Sequence, residues 1–153
     1  MKHWQWGKST RNSYLISSTL SISEVWYGIT QHEYEQLEKV DEMWMQNIME
    51  CSSSVPKDLL YFELALLPIR FIIQTRRLLY FHHILQQKRD SLLHRFFMAQ
   101  LTHPTARDWV SQVLEQLEDQ PLNLEIEEIK VKNKISFLEM VKEAIRKRHF
   151  LTY

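Results

Sequence analysis

The chain is poor in the residues that form tight turns, with only two glycines and four prolines among its 153 residues. Strands joined by hairpins need more of both, so the composition favours helices joined by short connections. Hydrophobic residues make up 44% of the chain, which is enough to build one core. We therefore predict an all-α fold, a single-domain irregular bundle of about six or seven helices.

Cysteine occurs once, at Cys51. One cysteine cannot form an internal disulfide, which fits a reducing compartment, so we expect an intracellular protein of the nucleus or the cytoplasm. Cys51, His82, His83, His94 and His103 do not have the spacing of a known zinc site. We predict no metal and no cofactor.

A long uncharged apolar run is also missing. The most hydrophobic region, Leu59 to Leu85, is interrupted by Glu63, Arg70, Arg76 and Arg77. The N-terminus lacks the apolar core of a signal peptide. We expect no membrane contact.

The usual motifs of catalysis are absent as well. Glycine stands only at positions 7 and 28, which excludes a Gly-rich phosphate loop, and nothing orients a histidine toward Cys51 as a base. The aspartates, at positions 41, 58, 90, 108 and 119, are never adjacent. We predict that the chain is not an enzyme.

The chain does contain two prolines placed where helices would begin. The serines at 52–54 precede Pro56 and offer oxygens to the free amides of a first turn, for which the fixed φ of proline is also suited. Pro68 disfavours helical geometry in the residue before it and opens a new helix. The pattern predicts helices over about 56–66 and 68–87 that meet at a sharp corner.

Apolar spacing predicts the remaining helices. Thr30 and Glu33 form a capping-box pattern ahead of apolar residues at steps of three and four. Similar spacing predicts helices over about 14–27, 90–101, 108–117, 124–131 and 134–150.

The helix after Pro68 is apolar nearly all round, so we expect it in the middle of the fold. Its most buried residues should include Ile72, Ile73, Leu79, Phe81 and Leu85. On the helix over 90–101 we expect an inward face made of Leu92, Leu93, Phe96, Phe97 and Leu101.

The sequence around the two prolines resembles a known family. The run Ser-Ser-x-Pro-Lys-x-x-Leu-Tyr-x-Glu-Leu-x-Leu-Leu-Pro-Ile-Arg-Phe-Ile-Ile over 53–73, followed by Arg76-Arg77-x-Leu79-Tyr80-x-His82, resembles the segment after the polymerase region in non-LTR (LINE-type) retrotransposon reverse transcriptases. Upstream, residues 23–30 and 37–41 resemble the end of the family's thumb. Matches downstream are Phe96-Phe97-x-Ala99-Gln100, Pro104, Asp108-Trp109, Ile129-Lys130 and Ser136-Phe137.

The resemblance covers about 14–148 and implies the helical part that braces template and product beside the catalytic core. It divides the chain into thumb-end-like helices over 13–51 and a post-polymerase-like region over 52–153, after residues 1–12, which we expect to be poorly ordered. The palm, whose adjacent aspartates hold two magnesium ions in the family, has no counterpart here. The family's Cys-Cys-His-Cys zinc knuckle is impossible with one cysteine.

Charge is distributed unevenly toward the end of the chain. The charged residues over 111–128 are all acidic, and those from 130 onward are mostly basic. Such an asymmetry can mark a nucleic-acid-facing edge, and the alternative is a solvated helix face with internal ion pairs. The candidate contacts to RNA or an RNA–DNA hybrid are Arg76, Arg77, Lys130, Lys132, Lys134, Arg146, Lys147 and Arg148. For the arginines of the Pro68 helix, Arg70 included, the alternative is an ion pair with an internal carboxylate such as Glu63.

We therefore expect a non-catalytic fragment of an RNA-directed DNA polymerase, a reverse transcriptase, that gives helical support and non-specific nucleic-acid contact. The alternative is an all-α protein-interaction module whose exposed apolar faces bind a protein partner or mediate self-association.

Overall fold

The structure is a computed structural model that describes residues 23, 25, 26, 28–105, 108–119, 122 and 124–151. Over these residues it has seven α-helices and no strand, so the predicted all-α fold and the predicted number of helices are confirmed. The helices are α1 (Gln31–Met49), α2 (Lys57–Glu63), α3 (Ile69–Leu85), α4 (Leu92–Thr102), α5 (Trp109–Asp119), α6 (Ile126–Val131) and α7 (Lys134–Leu151). The predicted segment 1–12 lies outside the described residues, and the predicted helix over 14–27 lies largely outside them.

The start of α1 is the predicted capping box. The Thr30 hydroxyl accepts a hydrogen bond from the Glu33 amide at 3.2 Å, and the Glu33 carboxylate accepts one from the Thr30 amide at 2.7 Å. These two bonds satisfy amides that the first turn leaves without partners. The hydrogen bonds from Thr30 also lower the pKa of Glu33.

The proline corner differs in detail from the prediction. Pro56 is the N-cap of α2 rather than its first helical residue, and no side chain caps this helix. The Ser52 and Ser54 hydroxyls instead lie 2.6 Å from each other, so the predicted serine cap is wrong. The helix ends at Glu63, earlier than predicted, because Ala65 adopts a left-handed φ of 51° that turns the chain toward α3.

The chain divides into two compact units, and the division falls between Ile72 and Ile73, inside α3. The first unit, Ile29–Ile72, contains α1, α2 and the first turn of α3. Its core is formed by Met45, Leu60 and Tyr61, with Trp44, Cys51, Val55 and Leu64 packed against them.

The second unit contains the rest of α3 and the four helices that follow. Aromatic contacts join α3 to three of them: Phe81 packs edge-on against Phe97 of α4 at 5.6 Å, Tyr80 against Trp109 of α5 at 5.6 Å, and His82 stacks on Phe137 of α7 at 5.0 Å. Within this unit α3 therefore lies in the middle, as predicted.

Burial along α3 follows the prediction in part. Ile73, Phe81 and Leu85 are buried as expected, whereas Ile72 and Leu79 are half-buried. Leu78, which was not among the predicted residues, is fully buried. A helix that is apolar nearly all round gives no sequence signal for choosing between its faces.

The predicted inward face of α4 is wrong for two residues. Phe97 is buried and Leu93 and Leu101 are half-buried, but Leu92 and Phe96 are 68% and 61% exposed. Residues 93, 97 and 101 are four apart and form one stripe, while 92 and 96 belong to the neighbouring stripe. Only the first stripe packs inward.

Among the residues that the structure describes, no helix combines the length and the apolar character needed to cross a membrane.

Candidate nucleic-acid interface

Neither of the two adjacent arginines of α3 is fully exposed. Arg77 is only 6% exposed, and its Nη2 donates a hydrogen bond to the Gln112 side chain on α5 at 3.3 Å. The same Gln112 oxygen accepts a hydrogen bond from the Gly28 amide at 2.8 Å. Arg77 therefore belongs to the interior, and the prediction that it contacts nucleic acid does not fit the structure. Arg76, next to it, is half-buried.

Arg70 pairs with an internal carboxylate, but with Glu38 of α1 rather than with Glu63. Its Nε lies 2.5 Å from one oxygen of Glu38, whose other oxygen lies 3.3 Å from Lys57 Nζ. The guanidinium also lies over the Tyr34 ring, 5.6 Å from its centroid. Glu63 is exposed. The buried Glu38 carboxylate therefore connects α1 to α2 and to the first turn of α3.

A second buried acid lies three residues further along α1. Asp41 accepts a hydrogen bond from the Tyr61 hydroxyl at 2.9 Å. Burial raises the pKa of Asp41, the nearby Glu38 raises it further, and the Tyr61 hydrogen bond acts in the opposite direction. Burial and the same carboxylates raise the pKa of Tyr61. This pair is part of the core of the first unit.

Three of the predicted lysines lie between the last turn of α6 and the start of α7. We call Lys130, Lys132 and Lys134 the basic segment. Lys134 is exposed, and the other two are half-buried. Within the described part of the chain, none of the three forms an ion pair. No described carboxylate therefore neutralises their charge.

The backbone of the basic segment is attached to α3. His82 Nε2 lies 2.7 Å from the carbonyl oxygen of Lys132, and the Gln86 side chain donates a hydrogen bond to the carbonyl oxygen of Lys130. The fully buried Ile129, just before the segment, anchors α6 in the core. These contacts fix the path of the backbone, and they do not involve the ammonium groups of the three lysines.

Two of the three predicted basic residues toward the end of α7 form ion pairs, and the third is exposed. Lys147 lies 3.5 Å from Glu143 one turn earlier, and Arg148 lies 3.7 Å from the Asp119 carboxylate. For these two, the alternative of a solvated helix face with internal ion pairs fits the structure. Arg146 is exposed and forms no ion pair with any described residue.

A cleft of about 780 Å³ lies in the second unit next to Lys130. Its charged lining consists of Arg89, Arg95 and Lys130, with Glu127 as the one carboxylate. Over the described residues none of these four side chains forms an ion pair. Sequence reasoning missed both arginines because they stand before and within α4, far along the chain from the basic segment. The Lys88-Arg89 pair at the break after α3 was the available signal.

The apolar wall of the cleft includes Phe97, Leu101 and Ile126. His94 also lines it, and its ring is stacked on Phe97 with 6.3 Å between the centroids. The Ser91 hydroxyl caps α4 by accepting a hydrogen bond from the His94 amide at 3.2 Å, which fixes the start of the helix that carries these groups. The cleft thus combines positive charge with an apolar wall.

The described residues contain no group of three or more His, Cys, Asp or Glu side chains that could hold a metal ion. Comparisons with protein-family models, with curated proteins and with solved structures found no match to this chain. The resemblance noted above therefore rests on the residues over 53–73 and 76–82 and on the shorter matches around them. What the second unit offers chemically is a basic segment without an ion pair to any described residue, and the cleft beside it.

Proposed function

We propose that the chain is a non-catalytic counterpart of the helical region that follows the polymerase in LINE-type reverse transcriptases, and that it contacts RNA or an RNA–DNA hybrid without sequence preference. The observation that carries the proposal is the basic segment, in which three lysines within five residues have no ion-pair partner among the described residues. Lysines without internal partners are available to neutralise phosphates, which contribute affinity but carry no sequence information.

The contact should be weak. Three lysines and the exposed Arg146 supply few phosphate contacts, and the exposed carboxylates of Glu127 and Glu128 lie just before them in the chain. Glu128 is partly engaged, because it accepts a hydrogen bond from the Glu125 amide at 2.9 Å. Non-specific dissociation constants are of order 10⁻⁴ to 10⁻⁶ M at physiological salt, and we expect a value in the weaker half of that range.

The binding test is a fluorescence-anisotropy titration of two single-stranded RNAs of unrelated sequence. With three or four phosphate contacts, affinity should fall by about 20- to 50-fold between about 50 and 200 mM salt, since each contact to a single strand contributes about 0.7 to the logarithmic slope. Both RNAs should give the same curve. No binding at the lower salt concentration, or binding that salt does not weaken, would contradict the proposal.

The family part of the proposal has a separate test. The genomic sequence upstream of the coding region should encode a polymerase palm with adjacent aspartates, as the resemblance implies. An upstream sequence without such a palm would remove the family part and leave nucleic-acid contact to be judged by the titration alone.

A protein-interaction module is the second candidate, and exposed apolar side chains favour it. Leu92 and Phe96 lie one turn apart on the solvent side of α4, and Phe62 on α2 is 75% exposed. Apolar surfaces of this kind are typical of contacts with partners. If this candidate holds, changing Leu92 and Phe96 to serine should abolish self-association in sedimentation experiments and leave the salt dependence of RNA binding unaltered.

A further inference from the structure

The cleft next to Lys130 has the size and lining of a small-molecule site. Its volume of about 780 Å³ falls in the range of roughly 300 to 1,000 Å³ that is usual for ligand pockets. The described residues that line it all belong to the second unit.

The charges of the cleft favour an anion. The described lining contains three cations, Arg89, Arg95 and Lys130, and one carboxylate, that of Glu127. No described residue forms an ion pair with any of the three cations. Arginine can bind a carboxylate or a phosphate through two parallel hydrogen bonds, and lysine adds a compact charge. The two arginines are exposed, so little desolvation opposes their contact with a ligand.

The apolar wall favours a ligand with a hydrocarbon body. Leu101 and Ile126 are aliphatic, and the flexible Met98 can adjust to the shape of a bound chain. An inorganic anion would leave this wall in contact with water, whereas an organic anion would cover it.

One buried polar atom beside the cleft has no hydrogen-bond partner among the described residues. His94 lines the cleft, and its Nδ1 is buried without a hydrogen bond from any described residue. Leaving such an atom unsatisfied is unfavourable, and an imidazole nitrogen can act as a donor or an acceptor toward a ligand.

We propose that this cleft binds a small organic anion, with its carboxylate or phosphate held by Arg89, Arg95 and Lys130 and its aliphatic body lying against Leu101 and Ile126. The site is separate from nucleic-acid contact, with which it shares only Lys130. The shared ligand chemistry is an anionic head on an apolar chain, and either a carboxylic acid or a phosphate monoester supplies it.

The test uses the full chain labelled with ¹⁵N and four probes, namely octanoate, octyl phosphate, 1-octanol and inorganic phosphate. The proposal predicts that at least one of the two organic anions shifts the amide resonances of α4 and α6 in a saturable way. The uncharged alcohol and inorganic phosphate should bind at least about tenfold more weakly, because the alcohol lacks the anionic head and inorganic phosphate lacks the aliphatic chain. Saturation by octanoate alone identifies a carboxylate site, and saturation by octyl phosphate alone identifies a phosphate site.

Two variants of equal net charge test where the anion binds. Arg89→Gln with Arg95→Gln should weaken binding by about tenfold or more, since charge-assisted hydrogen bonds are lost. Lys39→Gln with Lys142→Gln removes the same charge from exposed positions outside the cleft and should leave binding unchanged. The proposal is wrong if neither organic anion saturates the cleft, if octanol binds as well as the anions, or if both variants weaken binding equally.

Discussion

The buried Glu38 carboxylate should be a main electrostatic support of the first unit. Replacing it by glutamine removes the charge that faces Arg70 and Lys57, and places an amide near two cations. Breaking a buried ion pair by removing one partner costs about 3 to 5 kcal/mol. The Arg70 and Lys57 side chains are 30% and 46% exposed, however, so water replaces part of the lost pairing. We therefore expect Glu38→Gln to lower the free energy of unfolding by about 2 kcal/mol.

Glu63→Gln is the matched control, because Glu63 is the partner that the sequence suggested for Arg70. It is exposed in the same unit and forms no ion pair with a described residue, so its replacement should change stability by less than about 0.5 kcal/mol. Arg70→Gln should cost less in a Glu38→Gln background than in the native chain, since the two residues interact directly.

The assay is urea unfolding monitored by hydrogen exchange at the backbone amides of residues 29–72. Exchange that is resolved by segment is needed because two compact units need not unfold in one transition. Changes in stability are read from the urea concentration at the midpoint of unfolding, for variants that share the same slope of unfolding free energy against urea concentration. Equal losses for Glu38→Gln and Glu63→Gln, or additive effects of Glu38→Gln and Arg70→Gln, would refute the assigned ion pair.

Three further predictions concern the core and catalysis. Burial raises the pKa of Asp41 above its ordinary value of 3.8, so the folded state favours the protonated carboxyl, and this contribution to stability is lost as pH rises through the raised pKa. The stability of Asp41→Asn relative to the native chain should therefore increase as pH rises above about 4, and an advantage that shrinks with rising pH in urea titrations would contradict the assignment. Phe137→Ala should lower the free energy of unfolding by about 3 to 5 kcal/mol, because Phe137 is fully buried and stacked against His82. The control Ile135→Ala, on the exposed side of α7, should lower it by less than about 0.5 kcal/mol. Similar losses for the two variants in thermal or urea unfolding would show that Phe137 is not part of the core. We predict that the purified chain does not extend a primer on an RNA template with magnesium, and template-dependent incorporation above a boiled control would contradict this prediction.

Local signals in the sequence predicted the fold well. The Thr30–Glu33 capping box begins α1 where expected, and Pro68 precedes α3 as predicted. Short-range chemistry determines such features, because the groups involved lie within one turn of each other. The end of α2 was harder to predict, since it depends on Ala65 adopting a left-handed conformation, which is uncommon for alanine.

Contacts between distant residues could not be predicted in the same way. The partner of Arg70 lies 32 positions earlier in the chain, at Glu38, and is selected by how the helices pack rather than by spacing along one helix. Arg77 was a candidate contact because arginine can bind phosphates, but the side of α3 on which it lies faces α5. The cleft brings Arg89 and Arg95 next to Lys130, which no linear pattern indicates. Tertiary packing therefore determines most of the candidate site.

The most direct test of nucleic-acid contact compares the salt dependence of RNA binding in two triple variants of equal net charge. Lys130→Gln, Lys132→Gln and Lys134→Gln together remove the basic segment, whereas the control changes the exposed lysines at positions 39, 88 and 142. The account predicts that removing the basic segment reduces the slope of log affinity against log salt by about 2 in magnitude, at about 0.7 per lost phosphate contact, and that the control leaves the slope unchanged. Equal slopes in the two variants would show that net charge, and not the basic segment, governs binding, and would contradict the account.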